Sequence, residues 1–191
     1  MGRLKTIRAF LAIPLDPTSR QQLIKQQKYL RDTLRQDDIT WSSPKNFHIT
    51  LCFLGNIDTN QVRDLCGELT VIATQQAGHT VTIDHAKRFP SAKKARVIAA
   101  HIEGDEAFKH LVTAVKQAAD KARIQTDARP YKGHITLGRC KKRICPDTIE
   151  TLLADHSSIT MPVHEMVLFQ SELTPNGPIH TPLAHFSLKT K

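Results

Sequence analysis

The sequence predicts an α+β fold in which two pseudo-symmetric lobes of antiparallel or mixed sheet face a central cleft, with the helices outside. Three observations lead to this prediction. Apolar runs of strand length are interspersed with segments of helical periodicity, no strong parallel-sheet fingerprint accompanies them, and the tetrapeptide His-Ile-Thr-Leu occurs twice. Since no composition break provides an interdomain linker, we expect residues 1–191 to form a single bilobal domain.

The first part of the chain is predicted to alternate between strand and helix. Residues 7–15 form a short apolar run that proline and aspartate stop, which is typical of a buried strand. Residues 18–35 carry an apolar stripe on an otherwise polar helix. A turn-rich connection then leads to a strand over residues 47–54, and a second helix is predicted over residues 58–76.

The remaining elements are predicted from the same two periodicities. They are, in order, a strand hairpin over residues 80–89 and 95–102, a helix over 105–123, a strand over 131–140, a short helix near 147–156, and strands near 161–173 and 183–188. Because this order lacks a strong parallel-sheet fingerprint, antiparallel or mixed sheets are favoured over a parallel sheet.

The charge balance favours a phosphate-bearing partner. Lysine and arginine together number 27, against 18 aspartate and glutamate residues, and the formal net charge of +9 attracts polyanions. The N-terminus has no apolar run of signal-peptide length, and no later segment is long enough to span a bilayer. We therefore expect a soluble, cytoplasmic protein that does not bind a membrane. We expect it to be a monomer, although no sequence feature determines the oligomeric state.

The four cysteines, Cys52, Cys66, Cys140 and Cys145, are predicted to be reduced thiols. They contain no Cys-x-x-Cys pair, and the spacing of Cys140 and Cys145 does not match the ligands of the common zinc modules. Reduced thiols are the expected state in a cytosolic protein. We accordingly expect neither a structural metal nor a cofactor.

The repeated tetrapeptide occupies residues 48–51 and 134–137, which lie 86 positions apart. Both copies fall on predicted strands and follow turn residues. Side chains alternate with a period of two along a strand, so each histidine shares a face with the threonine two residues later, while the isoleucine and leucine take the other face. If the two strands belong to related halves packed about a pseudo-twofold axis, the four polar side chains converge on one cleft.

Two imidazoles in one cleft suit the cleavage of a phosphodiester. One can take a proton from the attacking water while the other gives a proton to the departing oxygen, near neutral pH. By symmetry, either His48 or His134 could take either role. The hydroxyls of Thr50 and Thr136 would donate hydrogen bonds to the non-bridging phosphate oxygens.

This chemistry requires no metal ion. A metal site would more naturally add carboxylates, and neither motif has one beside its histidine, although Asp58 and Asp127 could be near in space. The remaining histidines have no partner in a matched frame, and we interpret them as surface or core residues. They are His79, His85, His101, His110, His156, His164, His180 and His185.

On these residues the chain resembles the two-histidine (2H) phosphoesterases, and within them the LigT/ThpR-type RNA 2',3'-cyclic phosphodiesterases, also called 2'-5' RNA ligases. The resemblance spans nearly the whole chain and is carried by residues 8–13, 41–47, 48–55, 134–139 and 168–178. It implies metal-independent hydrolysis of an RNA 2',3'-cyclic phosphate end to a 2'-phosphate. His48 would be the proton donor to the leaving 3' oxygen, and His134 the proton acceptor from water. Thr50 and Thr136 would hold the phosphate.

The resemblance also places Arg139 near the phosphate. In a regular strand Arg139 would point away from the face of His134, because it lies five residues later. A bulge at Gly138 would turn it inward. The basic run 139–143 is a candidate to hold the RNA backbone upstream of the cyclic end. Candidates to stack on a terminal base are Phe10, Trp41, Phe47 and Tyr131.

Three alternatives stay open at this point. Reversible 2'-5' RNA ligation uses the same groups in reverse. A non-catalytic nucleotide- or RNA-binding module would keep the cleft, but a pure binder has no need of two proton-transfer groups. A metal-dependent phosphoesterase would lose its activity in chelator. The natural substrate is also open among a tRNA half, an oligoadenylate and a small cyclic nucleotide.

Overall fold

The computed structural model describes residues 5–34, 38–91, 93, 95–141, 145–154 and 156–190. Its strands are, in chain order, β1 (Thr6–Pro14), β2 (Ile39–Trp41), β3 (His48–Asp58), β4 (His79–Phe89), β5 (Val97–Gly104), β6 (His134–Cys140), β7 (Ile159–Val163), β8 (Glu165–Thr174) and β9 (Gly177–Ser187). They form a four-stranded sheet of order β3-β1-β8-β9 and a five-stranded sheet of order β2-β6-β5-β4-β7. All pairings between these described strands are antiparallel.

The helices are α1 (Pro17–Thr33), α2 (Thr59–Gln75), α3 (Glu106–Lys121) and the short α4 (Ile149–Leu152). Each long helix begins after an aspartate whose carboxylate accepts hydrogen bonds from backbone N–H groups of the first turn, and these caps are Asp16, Asp58 and Asp105. Helix α1 packs on the five-stranded sheet, while α2 and α3 pack on each other and on the four-stranded sheet. The helices thus cover the sheet faces, as the α+β prediction requires.

Three elements differ from the predicted order. The short strand β2 pairs with β6 and was not predicted, because three residues are too few to show a period. The strand predicted over residues 161–173 is two strands, β7 and β8, which belong to different sheets. Strand β9 starts at Gly177, well before the predicted residue 183. Its prolines, Pro178 and Pro182, are tolerated because β9 is an edge strand.

Burial of the isoleucine and leucine side chains fixes the two motif strands, β3 and β6, in the sheets. Ile49, Leu51, Ile135 and Leu137 are each at most 2% exposed, whereas the histidine and threonine of each motif are half-buried. Each buried aliphatic side chain contributes about 1.5–3 kcal/mol relative to an exposed one. The apolar residues of the motif therefore anchor its polar residues.

Cys140 and Cys145 form a disulfide, which corrects the prediction that all four cysteines are reduced. The chain turns back after β6, where the Cys145 N–H donates to the Ala95 carbonyl at 3.1 Å. This return brings the two Cα atoms to 5.5 Å, within the range that a disulfide spans. Cys52 and Cys66 are free thiols. Residues 142 and 143 of the predicted basic run lie outside the described residues.

Across the described ranges, no helix has the length and apolar character needed to cross a membrane.

Candidate active site

The two motifs meet in one cleft between the sheets. The cleft has a volume of about 1110 Å³ and is lined by all five predicted site residues, which are His48, Thr50, His134, Thr136 and Arg139. Strand β3 supplies the first two and strand β6 the other three. Tyr131, just before β6, donates a hydrogen bond from its hydroxyl to the Thr50 carbonyl at 2.9 Å, which ties the two halves together at the site.

The His48 ring is oriented by the backbone just before it. Its Nδ1 lies 2.8 Å from the Asn46 carbonyl oxygen, which can only accept, so Nδ1 carries a proton. In the neutral ring Nε2 is then the acceptor, and Thr50 Oγ1, at 3.1 Å, donates to it. Burial lowers the pKa of His48 to about 4, and the nearby charges of His180 and His134 act in the same direction.

His134 repeats this arrangement in the other sheet. Its Nδ1 donates to the Lys132 carbonyl oxygen at 2.9 Å, so its Nε2 is also the acceptor in the neutral ring. Phe89 stacks on the imidazole with ring centroids 4.1 Å apart. Burial lowers the pKa of His134 below its usual value, with smaller contributions from the charges of Arg139 and His101.

Each motif strand has a β-bulge at the same position of the tetrapeptide. The pairing of β3 with β1 skips Leu51, and the pairing of β6 with β5 skips Leu137. The extra residue reverses the alternation, so the side chain five residues after each histidine returns to the cleft face. These side chains are Phe53 and Arg139, and both line the cleft.

Arg139 therefore faces the cleft, as expected if a bulge precedes it, but the residue that the pairing skips is Leu137 and not Gly138. Gly138 has a different role, which is to make room for strand β2. A Cβ on Gly138 would lie 3.0 Å from side-chain atoms of both Ile39 and Trp41, which is a tight contact, so glycine lets strand β2 approach without displacing these side chains.

The cleft is strongly basic. Among the described residues that line it are four cations, Arg8, Arg31, Lys45 and Arg139, and no aspartate or glutamate. Nor do the described ranges contain a group of three or more histidine, cysteine or acidic side chains able to hold a metal ion. The carboxylates considered from the sequence have other roles, since Asp58 caps α2 and Asp127 binds Arg129. The lining thus suits an anion.

His180 was missed by the sequence interpretation, which took it for a surface or core residue. It lines the cleft on β9, with its ring perpendicular to that of His48 and the centroids 5.4 Å apart. Its Nδ1 is buried and has no hydrogen-bond partner among the described residues. His180 lies at the cleft because it pairs with Ser171 of β8 across the two strands. No local pattern in the sequence predicts that pairing.

The aromatic residues predicted to stack on a terminal base differ in their exposure and in their contacts. Phe10 and Phe47 are only 3% and 2% exposed, and Phe10 packs on the His48 ring at 4.8 Å. The Tyr131 hydroxyl donates a hydrogen bond to the Thr50 carbonyl, which holds the ring in place. Trp41 lines the cleft, and Phe53, which was not predicted, lines it with 59% of its surface exposed.

Comparisons with known proteins agree with this geometry. Residues 13–99 and 102–180 match the family model described as LigT like Phosphoesterase. An RNA 2',3'-cyclic phosphodiesterase of Methanothermobacter thermautotrophicus is 29% identical over 187 residues, which cover 95% of this chain and 99% of that protein. A crystal structure of a Thermus thermophilus protein has a TM-score of 0.80 and 27% identity, covering 97% of this chain and all of that one. Escherichia coli LigT complexed with 3'-AMP shares the fold, with a TM-score of 0.76, 21% identity, and coverage of 96% of this chain and 99% of LigT.

Proposed function

Because this chain belongs to the LigT-like phosphoesterase family, we propose that it hydrolyses RNA 2',3'-cyclic phosphate ends to 2'-phosphates without a metal ion. One observation carries the proposal. Two imidazoles, each held by the carbonyl two residues before it, line a cleft whose described lining has four cations and no carboxylate. The name of the Methanothermobacter relative, RNA 2',3'-cyclic phosphodiesterase, supports the same substrate.

The two histidines divide the proton transfers. Neutral His134 accepts a proton at Nε2 from the water that attacks phosphorus, and protonated His48 donates its Nε2 proton to the departing 3' oxygen. The bond between phosphorus and the 3' oxygen breaks, and the phosphate stays on the 2' oxygen. The backbone bonds at each Nδ1 keep both Nε2 atoms available for this exchange.

Substrate binding prepares His48 for its role. In the free protein the pKa of His48 is about 4, so the ring is mostly neutral at neutral pH. The negative charge of a bound phosphate raises this pKa and favours the imidazolium. Once Nε2 of His48 carries a proton, the Thr50 hydroxyl no longer donates to it and can turn to a non-bridging phosphate oxygen.

Thr50 and Thr136 hold the reactive phosphate from opposite sides of the cleft. Each threonine lies two residues after its histidine on the same strand face, so each hydroxyl lies beside a proton-transfer atom. Hydrogen bonds to the non-bridging oxygens stabilise the charge that develops in the transition state. Arg139 adds positive charge on the His134 side.

Hydrolysis of a nucleoside 2',3'-cyclic phosphate in chelator tests the proposal. We expect the wild type to yield the 2'-phosphate, and His48→Ala and His134→Ala each to lose roughly a hundredfold or more of the rate, as the loss of a general acid or base predicts. His110→Ala, on the exposed surface of α3, is the matched control and should keep the wild-type rate. A wild type that binds the nucleotide without turning it over would make the chain a binding module. Activity that requires an added metal would exclude the mechanism.

A further inference from the structure

Two polar side chains beside His48 have no role in the proposed function. Ser171 of β8 and His180 of β9 are direct partners across the two strands, and both line the cleft. Partners of this kind present their side chains on one face of the sheet, with Cβ atoms roughly 5 Å apart. The His180 ring lies perpendicular to the His48 ring, with centroids 5.4 Å apart. The pair is thus a direct neighbour of the imidazole to which we assign the donor role.

Neither of these side chains is hydrogen-bonded by the protein. Within the part of the chain that the structure describes, the Ser171 hydroxyl and the His180 ring have no hydrogen-bond partner. Ser171 is only 9% exposed, and His180 is half-buried. Polar groups withdrawn from water to this extent nearly always have a partner. Two adjacent groups that lack one, both on the wall of a cleft, therefore indicate a ligand.

Burial determines which nitrogen of His180 carries the proton. Nδ1 is buried with no acceptor among the described residues, whereas Nε2 is open to the cleft. A buried N–H without an acceptor costs about 1–3 kcal/mol, and orphaned N–H groups are rarer in proteins than orphaned acceptors. The neutral ring therefore keeps its proton on Nε2. His180 thus offers a donor to the cleft, whereas neutral His48 offers an acceptor.

The surroundings favour a neutral His180 even when His48 is protonated. Protonation of His180 would add an N–H at Nδ1, where none of the described groups accepts it. Protonation of His48 adds an N–H at Nε2 instead, because its Nδ1 already donates to the Asn46 carbonyl. Burial also lowers the pKa of His180 below its ordinary value. A second imidazolium would repel that of His48, so a neutral donor suits this place.

The two sheets differ in the donors that they offer beyond the motif threonines. In the five-stranded sheet, Arg139 returns to the cleft five residues after the motif histidine. In the four-stranded sheet the same place holds Phe53, whose ring offers no hydrogen bond to an anion. Ser171 and His180 belong to this second sheet and supply donors on its side of the cleft.

We propose that His180, as a neutral Nε2–H donor, and the Ser171 hydroxyl together bind a non-bridging oxygen of the reactive phosphate on the His48 side of the cleft. The assignment rests on the proposed function and adds two substrate-binding residues to it. A neutral N–H stabilises the negative charge of the transition state and leaves the proton that His48 must carry in place.

The two diastereomers of a nucleoside 2',3'-cyclic phosphorothioate test this contact. Each places sulfur, a weaker hydrogen-bond acceptor than oxygen, at a different non-bridging position. His180→Phe keeps a ring and removes the donor, so kcat/KM for the natural cyclic phosphate should fall on the order of tenfold, the size of a hydrogen bond to a charged group. The same loss should appear with one diastereomer and largely disappear with the other. A loss of equal size with both would indicate a structural role and overturn the contact.

Further variants separate the donor from the ring. His180→Gln keeps an N–H near the place of Nε2 and should recover most of the rate that His180→Phe loses. Ser171→Ala should lose less, because the His180 donor remains. His185→Phe is the matched control and should keep the wild-type rate, since His185 is an exposed histidine of β9 outside the cleft lining. A wild-type kcat/KM in His180→Phe would show that His180 does not hold the phosphate.

Nitrogen NMR of isotope-labelled histidine rings reads the protonation state directly and does not depend on turnover. At neutral pH we expect the proton of His180 on Nε2, and those of His48 and His134 on Nδ1. The signal that is missing from His180→Phe identifies the His180 ring. With inorganic phosphate, the Nε2 signal of His180 should shift while its Nδ1 stays unprotonated. A proton on this Nδ1 in either state would overturn the neutral donor.

Phosphate binding separates this proposal from the proposed function. Calorimetry with inorganic phosphate and with a nucleoside 2'-phosphate should give a Kd on the order of tenfold higher for His180→Phe than for the wild type. Hydrolysis and phosphate binding that His180→Phe both leaves unchanged would keep the function and refute the contact. A wild type without turnover, whose phosphate binding is still weakened by His180→Phe, would refute the function and keep the contact.

Discussion

The His48 and His134 halves of the cleft share one local structure but have different surroundings. In both, Nδ1 donates to the carbonyl two residues earlier, a threonine follows on the same face, and the next residue forms a bulge. Around His48 lie Phe10 and His180, whereas His134 stacks on Phe89 and has Arg139 beside it. The shared part positions the two Nε2 atoms for which we propose proton transfer, and the surroundings determine how readily each ring takes a proton.

This difference bears on which histidine is the acid. Burial lowers the pKa of both rings, and that of His48 falls to about 4. The burial that lowers this pKa still disfavours the imidazolium after a phosphate has raised the pKa, so the protonated ring gives its proton readily to a departing alkoxide. The surroundings of His48 therefore favour the donor role that the sequence resemblance assigns to it.

The largest expected effect separates the two roles directly. With the natural oxygen substrate, His48→Ala and His134→Ala should each lose roughly a hundredfold or more of kcat. A cyclic substrate with sulfur in place of the bridging 3' oxygen has a leaving group that needs no proton. We expect His48→Ala to recover most of its loss on this substrate and His134→Ala to recover none. The opposite pattern of recovery would reverse the assignment of the two histidines.

The second effect concerns stability. The pKa of His48 is about 4 in the folded protein, against 6.5 for an ordinary histidine, so the unfolded chain binds the proton first as the pH falls. The contribution of neutral His48 to the free energy of unfolding is complete above pH 6.5 and is lost as the pH falls from 6.5 to about 4. At pH 4.5 the loss is roughly 2 kcal/mol for this half-buried group. Urea unfolding at pH 7 and pH 4.5 measures the loss.

His48→Gln isolates the part of this loss that belongs to His48. The variant should lose about 2 kcal/mol less than the wild type between the two pH values. His110→Gln, exposed on α3, is the control and should match the wild type. Equal losses in the wild type and in His48→Gln would show that His48 takes up its proton without opposing the fold.

A smaller effect is expected at the two threonines. Thr50→Val and Thr136→Val each remove one donor to the phosphate while keeping the side-chain shape, so kcat/KM should fall on the order of tenfold or more. Thr50→Ser and Thr136→Ser keep the hydroxyl and should stay near the wild-type rate. If the valine and serine variants are equally active, the hydroxyls do not hold the phosphate.

The sequence predicted those features of the site that depend only on neighbouring residues, such as the alternation of side chains along a strand. Strand periodicity alone places His48 and Thr50 on one face, and the same holds for the second motif. The resemblance placed Arg139 near the phosphate, and strand periodicity showed that a bulge would be needed to turn it inward. The resemblance to the 2H phosphoesterases is confirmed, and with it the enzyme class, because the family model and the curated relatives agree.

The features that the sequence did not predict depend on contacts between distant segments. Strand β2 exists only because it pairs with β6, and His180 reaches the cleft only because β9 pairs with β8. The disulfide of Cys140 with Cys145 likewise depends on the return of the chain to Ala95. None of these pairings leaves a period or a motif in the sequence, so propensity and patterning cannot report them.

The smallest effect concerns the pH dependence of kcat/KM and the role of His180. Two groups with opposite required protonation states give a bell whose centre is the mean of their apparent pKa values. Since the pKa of both His48 and His134 lies below 6.5, the centre should also lie below pH 6.5.

The charged or titratable groups that lower the pKa of His48 are His180 on β9, His134 on β6 and Arg20 on α1. His180→Asn removes the first of these and should move the centre upward by a few tenths of a pH unit, whereas His110→Asn should leave it in place. A wild-type bell centred above pH 7 would mean that substrate and solvent in the cleft outweigh burial, and an unmoved centre in His180→Asn would exclude His180 as a source of the asymmetry between the two halves.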